Sequence, residues 1–169
     1  MYRDEDLLEA GDERLRQLRG GKISYIFQDP LSTLHPLFTV GDQIAEAIMV
    51  HQNISYKFAM DKAIALLKEV RIPNPELRAK CYPHELSGGM RQRICIAMSL
   101  ANEGEILIAD EPTTALDVTV QAQILKLMRD LQKERGASLI FITHDFGVVS
   151  EICDRVAVMY AGKIVELGT

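Results

Sequence analysis

Apolar and polar positions along the chain fall into stretches of two different periods. Residues 22–27, Lys-Ile-Ser-Tyr-Ile-Phe, form a short β-rich run after Gly20-Gly21 that ends abruptly in Gln28-Asp29-Pro30. Over residues 41–70 apolar side chains return at three- and four-residue steps, at Ile44, Ala47 and Ile48 and then at Ala63, Leu66, Leu67 and Val70. That spacing predicts helix until Pro73 and Pro75 stop it. A second helix is expected from Gly89 onward, with Met90, Ile94, Ala97, Met98 and Ala101 on one face. Residues 106–109 are a brief apolar run closed by Asp110, Glu111 and Pro112, the pattern of a buried parallel strand. Val120, Ile124, Leu127, Met128 and Leu131 predict an amphipathic helix from about Val118 to Arg135, with Gly136 at its end. Residues 138–143 read as a further buried strand running into His144-Asp145, and 156–166 as a hairpin turning at Ala161-Gly162. Strands alternating with helices predict an α/β protein with a mainly parallel core sheet.

Composition narrows the class. The 169 residues, 47% of them hydrophobic, suffice for one domain with a core that requires no disulfide. With 19 Lys and Arg against 24 Asp and Glu the formal charge is −5, and no basic tract stands out. This balance argues against a nucleic-acid partner held by phosphate neutralisation. Cys81, Cys95 and Cys153 are odd in number and form no C-x-x-C pair, so they read as small hydrophobes in a reducing compartment. No apolar run approaches the roughly 18 residues of a membrane span. Asn53-Ile54-Ser55 matches a glycosylation sequon by chance, since nothing else points to secretion.

The chemistry-bearing residues sit at strand ends. Gln28 follows one strand, Asp110 and Glu111 a second, and His144 a third. In open α/β sheets ligands lie beyond the carboxyl ends of the strands, so a shared ligand explains three such ends better than chance. In Leu86-Ser87-Gly88-Gly89-Met90-Arg91-Gln92-Arg93 two glycines precede a helix. Backbone N–H groups there can approach an anion closely and Ser87 adds a donor; the plain alternative is an N-cap serine beside a flexible turn. Asp110 and Glu111 are adjacent on extended chain, so their side chains diverge and can hold different jobs. The first suits Mg2+ through water and the second suits polarising an attacking water, while the alternative is a solvated acidic turn.

These residues carry a family resemblance. Leu86 to Gln92 resembles the signature motif of ATP-binding cassette (ABC) ATPases, 106–111 their Walker B strand, Ala115-Leu116-Asp117 their D-loop, His144 their switch histidine and Gln28 their Q-loop glutamine. More narrowly, Ile26-Phe27-Gln28-Asp29-Pro30, the run from Tyr82 to Arg93, the run from Ala109 to Thr119 and the run from Val156 to Gly162 are similar to the dipeptide, oligopeptide and nickel permease ATPases. The resemblance implies a P-loop NTPase-type sheet with an inserted helical subdomain. Residues 1–40 would be the end of the first lobe with the Q-loop, 41–101 the helical subdomain with the signature motif, and 102–169 the Walker B, D-loop, H-loop and hairpin part.

It also implies roles. In a head-to-tail dimer of two ATPase subunits, identical or homologous, Ser87, Gly88, Gly89 and Gln92 would serve the nucleotide of the opposite subunit. Asp110 and Gln28 would assist Mg2+, Glu111 would be the general base, and His144 would bind the γ-phosphate of ATP. Asp117 would relay across the dimer. The partners implied are two transmembrane permease subunits and, indirectly, an extracytoplasmic substrate-binding protein, which places the chain peripherally on the cytoplasmic face of the membrane. The alternatives are a non-catalytic piece that lends its signature motif to a partner's nucleotide and a non-transport cassette ATPase of DNA repair or translation.

One family element is missing. No G-x-x-x-x-G-K-[ST] occurs; Gly21-Lys22 is followed by Ile23, and Arg16 stands where the first glycine belongs. On the resemblance, the chain is expected to begin inside the first lobe, to turn over little ATP alone, to expose a hydrophobic sheet edge, and to lack a C-terminal extension common in the peptide-permease group.

Overall fold

The order of elements places three parallel strands where the sequence alternates. A computed structural model describes residues 1–114 and 116–169; Ala115 of the D-loop resemblance lies outside the described residues. The elements are α1 (Asp12–Leu18), β1 (Ile23–Ile26), α2 (Pro30–Thr33), α3 (Val40–Met49), α4 (Tyr56–Glu69), α5 (Pro75–Arg78), a 3-10 turn (Pro83–Glu85), α6 (Gly88–Ser99), β2 (Ile106–Asp110), α7 (Val118–Arg135), β3 (Ser138–Ile142), α8 (Phe146–Ile152), β4 (Val156–Tyr160) and β5 (Lys163–Gly168). The sheet has the order β1-β2-β3, all parallel, with Tyr25 opposite Ile108 and Ile108 opposite Ile140. The crossover from β1 to β2 is the helical stretch α2–α6, and α7 alone connects β2 to β3. β4 and β5 form a separate antiparallel hairpin, turning at Ala161 (φ 49°) and Gly162 (φ 76°), the two positive φ values of a type I′ turn. This is the α/β fold with a parallel core sheet that the sequence predicts. Among the described residues no helix is long and apolar enough to cross a membrane.

Local chemistry sets the helix bounds. Asp117 caps α7 by accepting from the Val120 N–H at 3.0 Å, and Gly136 at φ 65° closes it, its N–H donating to the Gln132 carbonyl at 2.9 Å. Asp29 caps α2 in the same way, with Pro30 at the first helical position, where its missing N–H costs nothing. The helical pattern of residues 41–70 is two helices, because residues 50–55 leave the helix before Ser55 begins α4. Pro75 likewise starts the short α5.

One apolar core joins the helices to one face of the sheet. Ile26, Leu107 and Ala109 are buried with Ile44, Leu67, Ile94, Ile96, Ile124 and Leu127, and Leu139 and Phe141 pack against them. Helix α6 runs through this core, so Cys95 and Ile96 are buried as well as Ile94 and Ala97, which is more than the single face its spacing predicts. Burial pushes the Cys95 thiol up to about 12, which keeps it inert. The other face of the sheet is open: Tyr25, Ile140 and Ile142 are 39%, 50% and 45% exposed. β3 is apolar on both faces, and among the described residues elements pack on one of them.

Two close contacts in the helical region give tests. The Gly41 N–H donates to the Ala79 carbonyl at 2.8 Å, and a Cβ on Gly41 would stand 2.7 Å from that oxygen and 3.0 Å from the Ala79 Cβ. Overpacking against backbone costs about 1–3 kcal/mol, whereas alanine gains at most about 1 kcal/mol of helix propensity over glycine. Gly41→Ala is therefore expected to lower stability in a urea titration, and an increase would show that the Ala79 backbone yields.

At the start of α3, Asp42 accepts hydrogen bonds from the hydroxyls of Thr39 at 2.6 Å and of Tyr56. Thr39's hydroxyl first, then Tyr56's, holds the Asp42 carboxyl below the usual carboxylate range. A depressed folded pKa stabilises fully above the unfolded value of about 4 and loses that contribution as pH falls through the folded value. The stability difference between the protein and Tyr56→Phe is thus expected to be constant near neutrality and to shrink below about pH 4. A difference that persists in strong acid would assign the Tyr56 effect to packing instead.

Candidate functional site

The parallel register brings three strand ends to one edge, and Glu111 is the hub there. Its Oε2 accepts from Gln28 Nε2 at 2.9 Å and from the Thr114 hydroxyl at 2.9 Å, and its Oε1 lies 2.9 Å from His144 Nδ1. With Glu111 ionised, the proton of that last bond belongs on Nδ1. Gln28 comes from the end of β1, Glu111 from the end of β2, and His144 from just beyond β3. The Glu111 N–H still donates to the Ile142 carbonyl at 2.9 Å, but its φ of 44° is left-handed, a conformation that costs a non-glycine residue about 1–3 kcal/mol. That turn, rather than the alternation of an extended strand, is what swings Glu111 away from Asp110. The hydrogen bond from His144, followed by that of Thr114, holds the Glu111 carboxyl below the usual carboxylate range. It is an ionised, oriented carboxylate at neutral pH, 23% exposed.

Asp110 has a different partner. The Tyr25 phenol donates to Asp110 Oδ2 at 2.8 Å, and that bond pushes the phenol's own pKa up. The two carboxylates therefore belong to separate hydrogen-bond groups.

The glycine pair is placed elsewhere. Ser87 caps α6, accepting from the Met90 N–H at 3.4 Å. A Cβ on Gly89 would stand 2.8 Å from Val120 Cγ1, so the first turn of α6 lies directly against the first turn of α7, which Asp117 caps. Among the described residues no hydrogen bond joins Ser87, Gly88, Gly89 or Asp117 to the Glu111 group. Gln92, expected to serve a nucleotide, is 1% exposed, and its Nε2 has no hydrogen-bond partner among the described residues. One turn into α6 its side chain faces the core, so in this conformation it is closed to any ligand outside.

Two participants escape the sequence reading. Thr114 falls in the turn after β2, and its reach back to Glu111 depends on a backbone path that no periodicity encodes. Tyr25 reads as a strand residue, and its diagonal reach to Asp110 follows only from the register that sets Tyr25 opposite Ile108.

The donor set fits Mg2+ in one limited way. Asp110 Oδ1 and Gln28 Oε1 are hard oxygen atoms without a hydrogen-bond partner among the described residues, and no group of three or more His, Cys, Asp or Glu there is placed to cage a metal. Two oxygens suit an ion that keeps several waters and takes further ligands from phosphates.

The family model described as ABC transporter matches residues 2–114. The chain is 56% identical over 166 residues to the probable peptide ABC transporter ATP-binding protein y4tR of Sinorhizobium fredii, covering 98% of this chain and 50% of that one. It is 54% identical over 169 residues to the dipeptide transport ATP-binding protein DppD of Bacillus subtilis, covering 100% of this chain and 50% of that one. The chain thus spans about half the length of the curated relatives it matches. A solved dimeric ATP-binding cassette in a post-hydrolysis state bound to ADP and Pi superposes with a TM-score of 0.82 at 29% identity, over 95% of this chain and 68% of that one. With a family model matched over residues 2–114, relatives 56% and 54% identical over nearly the whole chain, and a fold shared with a solved ATP-binding cassette, this chain belongs to the ABC transporter family.

Proposed function

We propose that this chain is part of the ATP-hydrolysing subunit of an ABC importer for peptides. The observation that carries the reading is the Glu111 carboxylate, held by Gln28, Thr114 and His144 at the carboxyl edge of a parallel sheet. The names of the relatives support the peptide class. Glu111 accepts the proton of the attacking water, and Gln28 and His144 fix its orientation. His144 also faces the γ-phosphate. Mg2+ supplies neutralisation of phosphate charge when bound, and Asp110 and Gln28 hold its waters. Ser87 and Gly88, exposed at the start of α6, and Gly89 beside α7 meet the nucleotide of a second ATPase subunit, and Asp117 next to them relays across that dimer. Residues 41–101 act as the helical subdomain, and the subunit docks peripherally on the permease subunits at the cytoplasmic face.

A second reading rests on a sequence observation: without a G-x-x-x-x-G-K-[ST] the chain alone has no phosphate cradle, and it would serve only as a donor of its signature motif. One experiment separates the two. The chain replaces the matching segment of the Bacillus subtilis dipeptide protein, so that the relative's own P-loop precedes it. The proposal expects MgATP hydrolysis by this chimera and little by the chain alone. A folded chimera that binds ATP yet does not hydrolyse it would leave only the signature-donor reading. Dipeptide uptake in cells carrying the chimera tests the transport class.

A further inference from the structure

At the same sheet edge as the Glu111 group, the contact between Tyr25 and Asp110 is one that the proposed roles do not use. Tyr25 sits on the open face of the sheet, and its ring lies 4.6 Å from that of Phe27 at an angle of 43°, a tilted aromatic contact that limits its rotation. Because Tyr25 is opposite Ile108, Asp110 is its diagonal neighbour on the same face, within reach of a long side chain. The phenol oxygen meets Asp110 Oδ2 at 2.8 Å. Asp110 Oδ1 is left without a hydrogen bond among the described residues. A carboxylate with one oxygen tied to a neutral donor keeps its charge, loses a rotational freedom, and offers one defined oxygen.

We propose that Tyr25 is a positioning residue for Asp110: it fixes the carboxylate so that Oδ1 is the oxygen that receives a water of the divalent cation. The inference rests on the proposed reading of this crevice as a cation–phosphate site and adds to it the group that orients the acidic residue. Partners of metal-facing carboxylates typically contribute 10–100-fold to metal affinity. For a contact that acts through water the low end applies, and Tyr25→Phe is expected to weaken the cation about ten-fold. Phenylalanine keeps the contact with Phe27 and removes only the hydroxyl, and the residue is 39% exposed, so the fold is retained.

The test uses the chimera that carries the relative's P-loop, with aspartate and glutamate carboxyl carbons labelled with carbon-13, and Asp110→Asn to assign the signal. In the absence of metal, Tyr25→Phe is expected to move the Asp110 carboxyl resonance and leave that of Glu111 in place, since Glu111 has its own three partners. A stationary Asp110 signal would show that Tyr25 does not hold it, and the proposal would be overturned while the reading of the site stands. Mn2+ with ATP, as a paramagnetic stand-in for Mg2+, is then titrated into both proteins. The Mn2+ concentration that broadens the Asp110 signal is expected to rise about ten-fold in Tyr25→Phe. Equal concentrations in the two proteins overturn the role of Tyr25 alone. No broadening of Asp110 or Glu111 in the unsubstituted protein overturns the cation–phosphate reading and, with it, this proposal.

Discussion

Glu111→Gln is expected to reduce MgATP turnover of the chimera by about 10²–10⁴-fold, the usual contribution of a positioned general base, while nucleotide binding persists. The substitution is nearly isosteric, and the hydrogen bonds at this position make its outcome specific. Oε2 of Glu111 receives two donors, Gln28 Nε2 and the Thr114 hydroxyl, so a glutamine places its carbonyl oxygen there. Its NH2 group then takes the Oε1 position and faces His144 Nδ1, which accepts if the imidazole carries its proton on Nε2. The local structure survives and the base is lost. Steady-state phosphate release together with equilibrium ATP binding separates these effects. Turnover within a few-fold of the parent would show that Glu111 orients other groups and takes no proton.

Arg135→Ala is expected to cost about 2 kcal/mol of stability. The Arg135 guanidinium grips Glu69 through Nη2 at 2.7 and 2.8 Å and Nε at 3.0 Å, and its Nη1 donates to the Leu100 carbonyl at 3.0 Å. One side chain therefore ties together the ends of α4, α6 and α7. The pair is 23% and 31% exposed, between the surface case and the buried one. Exposed pairs contribute about 0–1 kcal/mol and the breaking of buried ones costs about 3–5. The lost bond to a helix-terminal carbonyl adds to the intermediate value. In a domain of this size such a change lowers Tm by about 5 °C. Arg135→Lys restores charge but not the fork, and is expected to recover only part of the loss. If Arg135→Ala and Glu69→Ala proved additive, the two side chains would act independently despite their geometry.

How much was legible in the sequence depends on whether the signal was local. The bounds of α7 are, since Asp117 and Gly136 terminate it by bonds within a few residues, and the Ala161-Gly162 turn is for the same reason. The break between α3 and α4 was not, because Ile44, Ile48, Ala63 and Leu67 pack into the same core from two helices and their spacing mimics one. The signature resemblance located Ser87, Gly88 and Gly89 by residue type, yet the inward turn of Gln92 required the position of α6 within the core. Thr114 and Tyr25 depend on a turn and a register, and residue type alone points to neither.

By itself, the sequence determined the strand and helix alternation, the parallel sheet class, and the polar residues that end each strand, because hydrophobic period and capping chemistry are short-range. Only the tertiary structure decided that Gln28, Glu111 and His144 meet through one carboxylate, that Asp110 answers to Tyr25 instead, and that one sheet face is packed while the other is open. Those outcomes depend on strand register and on which elements cover which face, and both are set by contacts between residues far apart in the chain.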